Sequence, residues 1–231
     1  MAGQATADRG QERRERPDRR TRSARAENAD ARAALLAAAA ELFAQRGYRG
    51  ASVDEIAERA GYSKGALYWH FQSKDELFFA LMDQSVDAPT REMIGLLQDA
   101  PPEHDMAPEA SRRLVELVSG QRDLLLLDHE YWAQAVRNPE LRSRYAARRD
   151  ELRAALGAAL QVRLAHLGAP ALEMAADQMA TVIMGLAAGL AQERLIDAGA
   201  VPDELLGKAI VLLYRGLLAS AGDRPQVNAQ G

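Results

Sequence analysis

The stretch Ser52–Leu77, SVDEIAERAGYSKGALYWHFQSKDEL, predicts two short helices and the start of a third. Val53, Ile56, Ala57 and Ala60 recur at spacings of three and four, which lines one helical face. Ser52 stands before them and Glu55 follows three residues on, a capping box in which the side chains satisfy backbone N–H groups at the helix start. Gly61 ends this helix, because glycine enters the left-handed backbone region without a steric penalty. Ser63 caps a second helix over Lys64–Phe71, and Ser73 with Glu76 forms a second capping box that opens the next. Helix, tight glycine turn, helix is the outline of a helix-turn-helix.

In such a unit the second helix enters the DNA major groove and its first residues meet base edges. Here that helix begins Lys64-Gly65-Ala66. Two very small side chains at a helix start do little for packing, but they let backbone come close to a large surface. Tyr68 and His70 offer polar tips and Lys74 a cation. Leu67 and Phe71, four apart, point inward, and Trp69 is compatible with either face. Capping boxes alone occur in many helical hairpins. The combination with the Ala60-Gly61 turn, the small helix start and the aromatic run Tyr68–Phe71 is what favours a DNA reader.

The run from Leu35 to Leu81, LLAAAAELFAQRGYRGASVDEIAERAGYSKGALYWHFQSKDELFFAL, resembles the DNA-binding domain of TetR-family transcriptional regulators. Gly47-Tyr48, Ile56-Ala57, Ala60-Gly61, Lys64-Gly65, Leu67-Tyr68 and His70-Phe71 carry the resemblance, which covers about a fifth of the chain. It implies base or phosphate contacts from Lys64, Gly65, Ala66, Tyr68 and His70, and phosphate contacts from Ser52 and Lys74. Many members carry threonine where Ala66 stands. It also implies dimers bound to near-palindromic operators, and a small-molecule pocket in the rest of the chain.

Outward from this unit, Leu35, Ala39, Leu42 and Phe43 predict a first helix over Asn28–Arg46, closed by Gly47. Residues 1–28 are polar, Arg-rich and without apolar periodicity, and are read as a disordered arm. Residues 1–26 hold eight Arg against four acids, a net +4, whereas residues 27–80 come to −2 and the whole chain to −4. The positive field therefore lies on the arm, where Arg19, Arg20, Arg22 and Arg25 are candidates for phosphates or a minor groove. A helix after Ser73 either ends near Ala88 or bends at Pro89 and continues to Leu97. These elements give a DNA-binding domain over residues 29–89.

Residues 90–220 read as a second, helical domain for ligand binding and dimerisation, with a flexible tail over residues 221–231. A proline-rich loop over Asp99–Pro108 comes first. Helical patterns follow over Pro108–Ser119 and Arg122–Val136, from Asn138-Pro139 to about Leu167, from Pro170 to Asp197, and from Pro202 to about Ser220. No period-two alternation occurs, so the expected fold is all-α with about nine helices. His129, Trp132, His166, Met179 and Met106 are candidates to line a pocket, although each also suits an ordinary core or surface position. Gly185 and Gly189, four apart, suit close helix approach, and with Ile210, Leu213, Tyr214 and Leu217 they are candidates for a dimer contact.

The chain has no cysteine and its four histidines are scattered, so no metal site or cofactor is expected. No nucleophile elbow or phosphate loop occurs, which argues against an enzyme. No uninterrupted apolar run of about 20 residues is read in the chain, and a soluble, cytoplasmic protein without membrane partners is expected. The sequence supports a ligand-responsive repressor that binds an operator as a homodimer and is released by a small molecule. A helical ligand-binding protein without DNA binding is the alternative.

Overall fold

Eleven helical segments account for almost all of the backbone in the computed structural model, which describes residues 19–101, 104–166 and 174–222. They are α1 (Arg19–Gly50), α2 (Val53–Ala60), α3 (Lys64–His70), α4 (Lys74–Met82), a π-helical turn (Asp83–Asp87), α5 (Ala88–Asp99), α6 (Ala107–Gly120), α7 (Arg122–Ala135), α8 (Pro139–His166), α9 (Ala176–Ile196) and α10 (Asp203–Gly222). The described residues include no strand. Helix α4, the π turn and α5 form one continuous helix, so nine separate helices are present among the described residues, as the sequence predicts.

Helix α1 starts at Arg19, which corrects the arm reading for residues 19–28. The stretch RRTRSARAENADARAA is rich in the strong helix formers Ala and Arg, so it propagates outward from the buried Ala31 and Leu35. Residues 1–18, the helix start expected at Pro170 and residues 223–231 lie outside the described residues. Gly47 interrupts α1 at φ 69° and ψ 176°.

Leu35, Phe43, Ile56, Leu67, Phe71, Leu77, Phe78 and Met82 are almost completely buried and weld α1–α4 into one core. That core extends into α7. Tyr131 is fully buried and stacks on Phe78 with ring centroids 4.1 Å apart. Glu130 of α7 accepts hydrogen bonds from the backbone N–H groups of Tyr48 (2.7 Å) and Arg49 (3.2 Å), just past the break in α1. The N-terminal helices are thereby held to the body by both apolar contact and backbone capping.

Pro89 does not end the helix. A proline lacks the N–H that the carbonyl four residues earlier would accept from, and its ring crowds that carbonyl. The carbonyl in question is Ser85 O, and Gln121 Nε2 donates to it at 2.5 Å from the start of α7. The widened turn at Asp83–Asp87 absorbs the crowding. Asp87, almost fully buried, faces Arg148 of α8, which donates from Nε (2.5 Å) and from a terminal nitrogen (2.8 Å). Arg148 also reaches Asp128 of α7 at 2.5 Å, and Tyr145 donates to the other oxygen of Asp128 at 2.8 Å. Two helices, α7 and α8, are therefore pinned to the bend between α4 and α5.

Candidate nucleic-acid interface and effector cavity

Local hydrogen bonds set α2 and α3 at their angle. Ser52 Oγ accepts from Glu55 N at 3.2 Å, and Glu55 Oε2 accepts from Ser52 N at 3.2 Å, which completes the capping box. Hydrogen bonds from Ser52 and Arg46 hold the Glu55 carboxyl below the usual range. Gly61 lies at φ 78°, and Tyr62 N bonds Ala57 O at 2.9 Å across the turn. Ser63 Oγ accepts from Ala66 N at 3.1 Å and starts α3. At α4, Ser73 Oγ accepts from Glu76 N at 3.1 Å, but the Glu76 carboxylate returns to Gln72 N at 2.7 Å rather than to Ser73.

Leu67 is buried, and this fixes which side of α3 faces outward. Lys64, Gly65, Tyr68 and Trp69 are exposed and Ala66 and His70 half-buried. A Cβ added at Gly65 would meet only Ser63 Oγ, at 3.8 Å, so no contact inside the chain requires glycine there. Trp69 is 70% exposed, with its ring edge-on to His70 at 4.8 Å.

The cations around α3 already have partners within the chain. Lys64 Nζ lies 2.8 Å from Asp54, and that hydrogen bond raises its pKa above the ordinary lysine value. Lys74 is half-buried, with Nζ 4.5 Å from the Tyr48 ring centroid, and burial lowers its pKa. Arg32 of α1 sits 5.3 Å from the Phe71 ring. Burial, with a smaller effect from Arg32, lowers the His70 pKa and favours the neutral imidazole. The sequence pattern neither singles out Arg32 nor fixes the face of Trp69, since both depend on how α1 and α3 cross. Helix α1 carries Arg19, Arg20, Arg22 and Arg25, whose side chains lie outside the described residues.

A cavity of about 130 Å³ lies in the body, walled by α5, α6, α8, α9 and α10 through residues that include Met93, Leu114, Leu156, Met184 and Val211. None of the five residues expected to line a pocket is among the described residues that line this cavity. His129 and Trp132 stack on each other at 5.4 Å on an open side of α7, where Gln192 meets His129 Nδ1 at 3.0 Å. His166 is exposed in the last turn of α8, and Met106 is buried beside the start of α6. Met179 is fully buried and packs with Ile94, Leu156 and Leu160, but it stays within the core rather than at the cavity surface. Chemical type suggested these side chains, whereas helix rotation decides which ones face the space.

Gly185 and Gly189 are both exposed, and a Cβ at either would meet no atom within 4 Å. Along α9 they continue a stripe that includes Val182, 41% exposed, and Ile196, 84% exposed. On α10 Leu213 is half-buried, and Leu212, at 70% exposure, is the outward residue instead. The side chains of Ile210, Tyr214 and Leu217 lie outside the described residues. By length and composition alone α9 could cross a membrane, although Asp177, Gln192, Glu193 and Arg194 interrupt its apolar run. A single helix of this kind is weak evidence for a span, because core and interface helices share the same composition.

Residues 35–81 match the family described as "Bacterial regulatory proteins, tetR family". The HTH-type transcriptional activator FasR of Mycolicibacterium smegmatis is 55% identical over 56 residues, 24% of this chain and 26% of the relative. The uncharacterized HTH-type transcriptional regulator YfiR of Bacillus subtilis is 31% identical over 125 residues, 52% of this chain and 58% of the relative. The match therefore spans between a quarter and somewhat over half of these relatives' length. A TetR-family transcriptional regulator of Mesorhizobium loti shares the fold, with a TM-score of 0.64 at 23% identity over 83% of this chain and 96% of its own. Regulators of this family bind DNA and are not enzymes. The helix-turn-helix over residues 35–81 is thus similar to the DNA-binding domain of TetR-family transcriptional regulators, and the helical body behind it shares their fold.

Proposed function

We propose that two copies of this chain bind a near-palindromic operator, repress transcription there, and release it when a small molecule enters the α5–α10 cavity. The observation that carries this reading is the outward face of α3. Lys64, Gly65, Tyr68 and Trp69 are exposed together, and the one glycine among them has no steric reason within the chain. On a duplex, Gly65 and Ala66 let the backbone approach base edges while Tyr68, His70, Ser52 and Lys74 reach bases or phosphates. Lys64 exchanges Asp54 for a phosphate. The working compartment is the cytoplasm, where the chromosome is.

Two reading helices spaced about 34 Å apart match successive major-groove faces, so a second copy is part of the function. The stripe Val182, Gly185, Gly189 and Ile196 on α9, with Leu212 on α10, supplies an unpartnered apolar surface. Two helices from each copy make a four-helix contact there. Burial of this surface also accounts for why α9 is so apolar.

Fluorescence anisotropy with duplexes from the region upstream of the gene itself tests the reading. Specific binding that Tyr68→Ala weakens at least tenfold, with fold and oligomeric state unchanged, is the expected result. Binding indifferent to Tyr68 removes the docking geometry. The sign is checked in a promoter reporter, because the M. smegmatis relative is named an activator. Deleting the gene should raise reporter output, and a fall overturns repression.

A further inference from the structure

We infer that the α5–α10 cavity takes an uncharged, hydrocarbon-rich molecule and excludes ionised ones. The inference rests on the reading of this cavity as the effector site and adds the chemical class of the effector. Among the described residues Thr90 is the only polar one in the lining, and its Oγ1 already donates to Val86 O at 2.6 Å. The other lining residues are Ala, Val, Ile, Leu and Met. Among the described residues no carboxylate, ammonium, guanidinium, imidazole or amide side chain lines the space.

An ion entering such a space sheds its hydration shell and finds no partner in return. The two guanidinium groups buried along α8 do not supply one. Arg148 is held by Asp87 and Asp128, and Arg163 donates to the carbonyls of Ala100, Pro101 and His104. Neither lines the cavity. A neutral apolar guest loses little hydration and gains dispersion contacts on every side. The volume is close to that of engineered apolar cavities that stay dry and admit benzene. Met93 lines the space from α5 and Met184 from α9, and their unbranched thioethers re-pack around guests of different outline. The cavity therefore selects by polarity more strictly than by shape.

The position of the guest also matters. Thr90, Met93, Ile94 and Leu97 all belong to α5, the helix that leaves the π turn directly beyond α4. A guest pressing on these residues bears on the helix that continues into the DNA-binding core.

Three probes of one size separate charge from shape: toluene, benzoate and benzylammonium, each titrated into the full-length protein by calorimetry and thermal melting. Toluene is expected to bind at least tenfold more tightly than either ion. Its protons should show nuclear Overhauser contacts to the Met93 and Met184 methyl groups. Ala110→Leu and Ala187→Leu, which fill the cavity from α6 and α9, should each abolish binding while circular dichroism is unchanged. Benzoate or benzylammonium binding as tightly as toluene, no toluene binding, or toluene binding without contacts to the two methionine methyls overturns the inference. Operator anisotropy with toluene present tests the other reading separately. Toluene bound in the cavity with no change in operator affinity sinks the effector role and leaves the ligand class standing.

Discussion

Gly65 and Gly47 are two glycines with opposite reasons for being there. Gly65 has room for a methyl group, and alanine is the better helix former by up to about 1 kcal/mol. Gly65→Ala should therefore leave the melting temperature equal or higher while operator affinity, read by anisotropy, falls at least tenfold. Equal affinity would mean that the backbone does not approach a duplex there. Gly47 has φ 69°, and a Cβ would lie 2.5 Å from a Glu130 carboxylate oxygen. Gly47→Ala strains the backbone and displaces the carboxylate that caps Tyr48 N and Arg49 N, a loss of about 2–3 kcal/mol in urea unfolding. His70 adds a pH signature. Its folded pKa is lowered from 6.5, so the unfolded chain binds the proton more readily. The stability this gives is complete above about pH 6.5 and is lost as pH falls through the lowered value. Thermal melts of the wild type and His70→Gln between pH 7.5 and 5 should converge as the pH drops. The small residues at the start of α3 were legible because the sequence alone shows that they are small. Arg32 and the face of Trp69 were not, because both are set by where α1 crosses α3.

Among the elements, the bend between α4 and α5 draws most on distant residues. Asp87 is 3% exposed and Asp128 partly buried, and Arg148 forms an ion pair with each. Arg148→Met should cost about 3–5 kcal/mol, because two carboxylates are left without their counterion, or roughly 6–20 °C in Tm for a chain of this size. A smaller drop, under 1 kcal/mol by urea melts, would mean that water replaces the arginine. The helix order, the caps and the breaks at Gly47 and Gly61 could be read from local sequence, because each rests on residues within four positions of the break. The effect of Pro89 could be read only as a choice between ending and bending. Gln121, which satisfies the carbonyl freed by the proline, stands 36 residues away from Ser85. The early start of α1 was obscured for a different reason: arginines that read as a charged arm are also good helix formers.

At the scale of the whole molecule, Gly185→Leu combined with Leu212→Glu should turn a dimer into a monomer by sedimentation and abolish tight operator binding, since the spacing of two reading helices needs both copies. A dimer surviving both changes places the contact elsewhere. The glycine pair on α9 was visible in the sequence because its spacing is local. The cavity wall was not, because it gathers one or a few residues from each of five helices whose rotations are fixed only on assembly. The π turn has a final consequence for how these parts move together. A helix of 3.6 residues per turn advances about 100° with each residue, and a π turn accommodates one residue more than an α-helix would. Met93, Ile94 and Leu97 point at the cavity because that surplus is taken up before they are reached. Were the surplus to migrate past them, α5 would swivel by one residue's worth of angle against α4. A signal carried along this helix would then arrive as a step of fixed size, like the click of a ratchet, instead of a gradual lean.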